Sequence, residues 1–287
     1  MTGALLLDKP AGLTSHDVVA RVRKALKTRA VGHTGTLDPF ATGLLVVLVG
    51  RATRLARFVE QQAKTYLATA RLGVVTATDD ATGEVVGSMD PELPAPADAE
   101  IGAVMARFLG RQRQRPPAYS AKHVDGERSY RKARRGETVT LPEVEITVSS
   151  LSVVRYQWPE LVFRATVSPG AYLRALARDL GERLETGAHL TALRREAIGG
   201  LRVEQAVPLA ELGPATPVLP PLAVLGHLAQ EAVSEAEARA LGYGQGIAGR
   251  GPEGGAPVAL VHEGRLVAIA EHRDGRLAPS VVLEPAS

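Results

Sequence analysis

Gly32-His33-Thr34-Gly35-Thr36-Leu37-Asp38-Pro39-Phe40-Ala41-Thr42-Gly43 packs three glycines, one proline and a single carboxylate into twelve positions. The unbroken apolar run Leu44–Val49 follows at once, a length that suits a fully buried strand. The stretch therefore reads as a loop feeding a core strand, and the question is what Asp38 does in it. On the motif alone, Asp38-Pro39 reads first as a turn opening. A phosphate loop of the G-x-x-x-x-G-K-[ST] type is absent, because no lysine stands at the required place. The dinucleotide pattern G-x-G-x-x-G occurs at Gly244, Gly246 and Gly249, where it opens no helix. The histidines show no i, i+4 pair for a metal, and there is no G-x-S-x-G elbow for a hydrolase triad. Asp38 is thus the best-placed reactive group in its own loop.

Upstream, Ala4–Leu7 reads as a short buried strand. Thr14 with Asp17 three residues on forms a helix-start signature. Val18, Val19, Val22 and Leu26 follow it at helical spacing. Downstream, Lys64–Leu72 reads as a strand with Tyr66, Ala68, Ala70 and Leu72 on one face. After a proline-rich loop at 90–96, Ile101, Val104, Met105, Phe108 and Leu109 form one helix face. Val144–Val154 and Leu161–Val167 read as strands. Pro169-Gly170 then leads into a helix striped by Leu173, Leu176, Leu180 and Leu184. Arg178, near Glu182, reads as an exposed helix arginine. Prolines at 208, 214, 217, 220 and 221 mark a linker. Beyond it lie a short helix (233–241), a glycine-rich loop (242–255) and strands at 258–262, 265–272 and 280–283. That tail has the look of a small β-barrel module.

The chain has 287 residues, 45% hydrophobic and 23% charged, enough for a sizeable core and against disorder. It contains no cysteine, which excludes disulfides and thiolate chemistry and fits a reducing compartment. MTGALLLDKP is too short in apolar residues for a signal peptide, and no apolar run is long enough to span a membrane. A cytoplasmic protein is expected. The net charge of +3 hides an uneven distribution. Between Arg107 and Arg135 ten Lys/Arg face only Asp125 and Glu127, so this segment carries +8 and the remainder −5. Such a block suits a polyanion.

The motif around Asp38 resembles the signature of the bacterial tRNA pseudouridine-55 synthases, the TruB family. Further blocks follow in the family's order across about residues 3–205. Leu5-Leu6-Leu7-Asp8-Lys9-Pro10 with Gly12 resembles its N-terminal motif, and Lys64-Thr65-Tyr66 through Gly73 its tyrosine strand. Pro116-Pro117-Ala118-Tyr119-Ser120-Ala121, with Gly126, Tyr130 and Arg134, resembles its substrate-side segment. Ser168-Pro169-Gly170-Ala171-Tyr172-Leu173-Arg174 through Gly181 resembles its arginine motif, and Gly187–Leu190 with Leu193-Arg194-Arg195 also matches. Gly264–Ala270 and Gly275–Pro279 resemble the end of a PUA domain. His123 departs from the family's usual lysine, with Lys122 one place earlier, where a strand's side chains face the opposite way.

The resemblance implies a mixed α/β (α+β) fold. Its central sheet is largely antiparallel and flanked by helices, with a catalytic domain over 1–220, a linker over about 208–221 and a PUA-like RNA-binding domain over 221–287. It implies isomerisation of uridine 55 in the tRNA T-loop by a monomer without metal or organic cofactor. Asp38, Tyr66 and Arg174 are the implied catalytic residues. His33, Tyr172, Lys9 and Leu193 are the implied substrate-side residues. Asp38 would start the reaction, Arg174 would keep it ionised, Tyr66 would stack on the uracil, and His33 would fill the space left by a flipped nucleotide. The basic block would meet phosphates of the T-arm. Two other readings stay open at this point, a tRNA-binding or folding chaperone in which catalysis is dispensable, and a metal-assisted RNA hydrolase.

Overall fold

The computed structural model describes residues 1–90, 94–119, 123–124, 127–128, 135, 137, 141–249 and 255–284. They form two compact units, one built from Met1–Pro39, Gly43–Gln61 and Gly199–Ser287, the other from Phe40–Thr42 and Gln62–Ile198.

In the first unit, strand β1 (Gly3–Lys9) is followed by helix α1 (Ser15–Ala25), β2 (Val31–His33), β3 (Thr42–Val49) and the short helix α2 (Ala56–Glu60). The expected start of α1 is a reciprocal cap. The Thr14 hydroxyl accepts from the Asp17 N–H at 3.1 Å, and Asp17 accepts from the Thr14 N–H at 2.8 Å. The loss of such a cap costs about 1 kcal/mol. Strand β3 pairs antiparallel with β1 on one side and with β2 on the other. All six residues of Leu44–Val49 are wholly buried, which is why the run is apolar without alternation. Leu45, Val47 and Val49 share a core with Leu5, Leu7, Val18, Val19 and Val22. The helical valines of α1 thus cover one face of the strand pair.

The second unit begins with β4 (Lys64–Leu72), then the hairpin of β5 (Val74–Thr76) and β6 (Val85–Ser88), helix α3 (Asp98–Ala106) and β7 (Gly110–Gln114). A small ladder joins β8 (His123–Val124) to β9 (Glu127–Arg128). Next come β10 (Val144–Gln157), β11 (Glu160–Val167), helix α4 (Leu173–Arg183) and β12 (Ala188–Ile198). The strands run in the order β12-β4-β11-β10-β7, every neighbouring pair antiparallel. Strand β4 follows its expected bounds, and Lys64, Tyr66, Ala68, Ala70 and Leu72 alternate onto its buried face. The α4 stripe is buried as expected at Leu173, Leu176, Leu180 and Leu184. Leu109 departs from expectation. Helix α3 ends at Ala106, and Leu109 stands 49% exposed in the turn before β7. Of the basic block, Lys122, Arg131, Lys132 and Arg134 lie outside the described residues, as do Ser120, Ala121, Gly126 and Tyr130.

The chain then returns to the first unit through β13 (Leu201–Arg202) and β14 (Val207–Pro208), the latter lying parallel to β1. Within the proline-rich stretch, Leu219 exchanges two backbone hydrogen bonds with Ala4 at 2.9 and 2.8 Å. A second sheet follows, made of β15 (Ala229–Ala232), β16 (Ile247–Ala248), β17 (Val258–His262), β18 (Arg265–Arg273) and β19 (Arg276–Val282). Its order is β15-β17-β18-β19-β16. Helix α5 (Glu235–Gly242), capped by Ser234, packs on it through Leu241. Arg51 and Arg54 donate to the carbonyls of Leu283 and Val282 at 3.2 and 2.7 Å, tying this sheet to the turn after β3. Among the described residues, no helix is long and apolar enough to cross a membrane.

Candidate active site

The loop between β2 and β3 is held by its main chain. Gly35 and Gly43 adopt φ of 106° and 101°, values that side-chain-bearing residues avoid, and they shape its two bends. Thr34 donates its N–H to the Val46 carbonyl at 3.0 Å. Leu37 is buried and donates its N–H to the Ser15 hydroxyl of α1 at 2.9 Å. The carbonyl of Pro39 accepts from the Gly12 N–H at 2.8 Å and from Lys9 Nζ at 3.3 Å. Lys9 is fully buried, and its ammonium also donates to the carbonyls of Pro10 and Leu13 at 2.9 and 2.7 Å. Both neighbours of Asp38 are therefore anchored, and Asp38 itself is half-buried. His33 is half-buried at the end of β2, opposite Val47.

In the second unit, Tyr66 is a buried aromatic on a strand face that it shares with Lys64, Ala68, Ala70 and Leu72. It lies opposite Ala165 on one neighbouring strand and Arg195 on the other. Leu193 faces Ala68 from β12 and is also buried. Strand β12 keeps Leu190 and Leu193 on one face, although they are three apart, because an irregularity in register falls between them. Tyr172 caps α4 with its backbone. Its N–H donates to Gln114 Oε1 at 2.9 Å, and its carbonyl accepts from Gln114 Nε2 at 3.1 Å. The buried Gln114 thereby sets where α4 begins.

Arg174 stands in the first turn of α4, where the helix dipole disfavours a cation. It is only 4% exposed. Its guanidinium donates to the carbonyls of Thr78 and Tyr119 at 2.8 and 2.9 Å, and lies 3.4 Å from Asp80 Oδ2. Asp80 was not foreseen from the sequence. Its Oδ1 accepts from the Thr78 and Thr82 hydroxyls and the Thr82 N–H at 2.7, 2.5 and 2.9 Å. With Arg174, Asp80 makes a buried, geometrically defined ion pair. The signal lay in Thr76-Ala77-Thr78-Asp79-Asp80-Ala81-Thr82-Gly83, whose threonines, aspartates and glycine spell a hairpin turn.

Beside it, Arg178 corrects a second expectation. Its side chain is 20% exposed and bonds Asp79 Oδ2 at 3.0 Å and Asp179 Oδ1 at 2.7 Å, while Glu182 lies more loosely at 3.8 Å. Burial raises the carboxyl pKa of both Asp79 and Asp179, with Arg178 opposing the shift. The cause of the missed reading is tertiary: the partner Asp79 comes from a hairpin almost a hundred residues away. His123 belongs by its backbone to β8, and Lys122 lies outside the described residues. Among the described residues, no group of three or more His, Cys, Asp or Glu is placed to hold a metal ion.

Comparison with known proteins adds three findings. The profile of the TruB family pseudouridylate synthase (N terminal domain) matches residues 23–173. A protein of Thermobifida fusca named tRNA pseudouridine synthase B is 46% identical, over 98% of each chain. One of the same name from Leifsonia xyli is 43% identical, over 99% of this chain and 97% of its own. Among solved structures, a chain in a Cbf5-Nop10-Gar1 complex superposes with a TM-score of 0.76 at 25% identity, over 98% of this chain and 84% of that one. A chain in the archaeal box H/ACA sRNP Nop10-Cbf5 complex gives 0.74 at 23%, over 99% and 86%, a likeness of fold.

Proposed function

The chain belongs to the TruB family of pseudouridylate synthases, and from that premise we propose that it isomerises uridine to pseudouridine at position 55 in the T-loop of tRNA. The reaction breaks the N1–C1′ bond, turns the uracil, joins C5 to C1′ and releases the C5 proton. Atoms and oxidation state are conserved overall, so no redox partner is needed.

The observation that carries the reading is the anchoring of Asp38. Leu37 donates its N–H to the Ser15 hydroxyl, and the Pro39 carbonyl accepts from the Gly12 N–H and from Lys9 Nζ, so the carboxylate is presented from a fixed main chain. A pre-placed group reacts faster than one that must be ordered first. In this reading Asp38 initiates the reaction as nucleophile or base. Arg174 is the active-site cation, and Tyr66 stacks on the uracil near the C5 proton. A T-loop uridine reaches such a site only when flipped out of its stack, at a cost of a few kcal/mol. His33 fills the vacated space, and Tyr172 and Leu193 wall the pocket. Lys9 supports the loop, consistent with its three carbonyl partners. Arginines of the basic segment, among them Arg111, Arg113 and Arg115, neutralise T-arm phosphates, and the sheet of residues 229–282 serves as the PUA-like module. The enzyme acts in the cytoplasm as a monomer.

The test is incubation with an unmodified tRNA transcript, followed by mapping of pseudouridine. Modification at position 55 that is lost in Asp38→Asn supports the proposal. A correctly folded transcript left unmodified, or strand scission abolished by a chelator, overturns it.

A further inference from the structure

Arg174 and Arg178 stand one turn apart on α4, and they grip the same two pieces of chain. Arg174 pairs with Asp80 and donates to the Tyr119 carbonyl. Arg178 pairs with Asp79 at 3.0 Å and donates to the Arg115 carbonyl at 2.9 Å. The two acids are consecutive on one hairpin turn, and the two carbonyls are four residues apart on one segment. Arg174 also holds the Thr78 carbonyl on that turn. The turn is fixed from a third side, since Leu190 donates to the Asp79 carbonyl at 3.0 Å and Ala81 donates to the Leu190 carbonyl at 2.8 Å.

We propose that Arg178 is a positioning residue for pseudouridine formation. By clamping Asp79 and the Arg115 carbonyl it holds Asp80, Thr78 and Tyr119 where they orient the Arg174 guanidinium. The inference rests on the reading of Arg174 as the active-site cation. It follows from geometry, because Arg178 touches both segments that carry the partners of Arg174, one through each terminal nitrogen: Asp79 beside Asp80 and Thr78, and the Arg115 carbonyl four residues before that of Tyr119. A planar guanidinium reaches two such directions at once, whereas an ammonium is a single point of charge. Small displacements of a positioned group carry large rate penalties, up to about a hundredfold for 1 Å.

The experiment measures single-turnover rate and tRNA dissociation constant separately for Arg178→Lys, Arg178→Ala and Arg174→Lys. Arg178→Lys keeps a charge opposite Asp79 and Asp179 and so guards against loss of the fold. The expected result is a rate about tenfold lower in Arg178→Lys, lower still in Arg178→Ala, with tRNA affinity within about twofold of wild type and the thermal midpoint of Arg178→Lys unchanged. Wild-type rates in both Arg178 variants, with Arg174→Lys slow, overturn this inference alone. A loss of affinity as large as the loss of rate overturns it as well. A wild-type rate in Arg174→Lys overturns the reading on which it stands.

Discussion

The Asp38 loop and the Arg174 helix are both closely held, but by opposite means. Around Asp38 the described contacts fall on the main chain of its neighbours, from a serine hydroxyl, a glycine N–H and a lysine ammonium. Arg174 is held by its own side chain, through two carbonyls and a carboxylate. Anchoring the neighbours fixes where a side chain starts. Anchoring the side chain fixes where its charge ends. A group that must form or break bonds suits the first arrangement, and one that must only present charge suits the second.

This contrast predicts unequal responses to substitution. Asp38→Asn removes the proposed reacting group and leaves its supports in place. Tritium release from [5-³H]uridine-labelled tRNA should fall by at least about a thousandfold, with an unchanged circular dichroism spectrum. Appreciable release would erase the distinction. Arg174→Lys keeps the charge but loses the fork that reaches Thr78, Tyr119 and Asp80, and the single-turnover rate should drop about a hundredfold. Lys9→Met should act mainly on stability. The carbonyls of Pro10, Leu13 and Pro39 lose a charged donor, at a cost of about 1–3 kcal/mol by chemical denaturation. The rate should fall only about tenfold, because Gly12 still holds Pro39. A rate loss larger than that of Arg174→Lys would place Lys9 in the chemistry.

The smallest effect concerns pH. Burial raises the Asp79 carboxyl above its ordinary 3.8. A carboxyl whose folded pKa exceeds its unfolded one binds more protons in the folded state across that interval. Its stabilising contribution is present below 3.8 and is lost as pH rises through the raised value. Denaturation at a series of pH values upward from 3.8 should show wild-type stability declining relative to Asp79→Asn across this window. An equal slope in both proteins would mean that Arg178 offsets the burial of Asp79 completely.

Local signals were legible in the sequence where one element sufficed to explain them. Thr14 and Asp17 specify a cap whatever surrounds it. Leu44–Val49 can only be a buried strand or helix segment, and Lys64–Leu72 alternates because one face of its sheet is covered. Strand β12 escaped notice because Ala188-His189-Leu190-Thr191-Ala192-Leu193 breaks the two-residue period, and the irregularity that restores it belongs to its pairing with β4. Strand β7 was hidden by its charges, since Gly110-Arg111-Gln112-Arg113-Gln114 has no apolar alternation to read.

Amino-acid order alone determined the loop that carries Asp38, the helix that carries Arg174 and the family to which both belong, because glycines, caps and apolar periods act over a few residues. Only the tertiary structure decided that Asp80 and Asp79 answer Arg174 and Arg178, and that Lys9 closes on Pro39. Ion pairs and hydrogen bonds depend on distance in space, and partners thirty to a hundred residues apart leave no periodic trace along the chain.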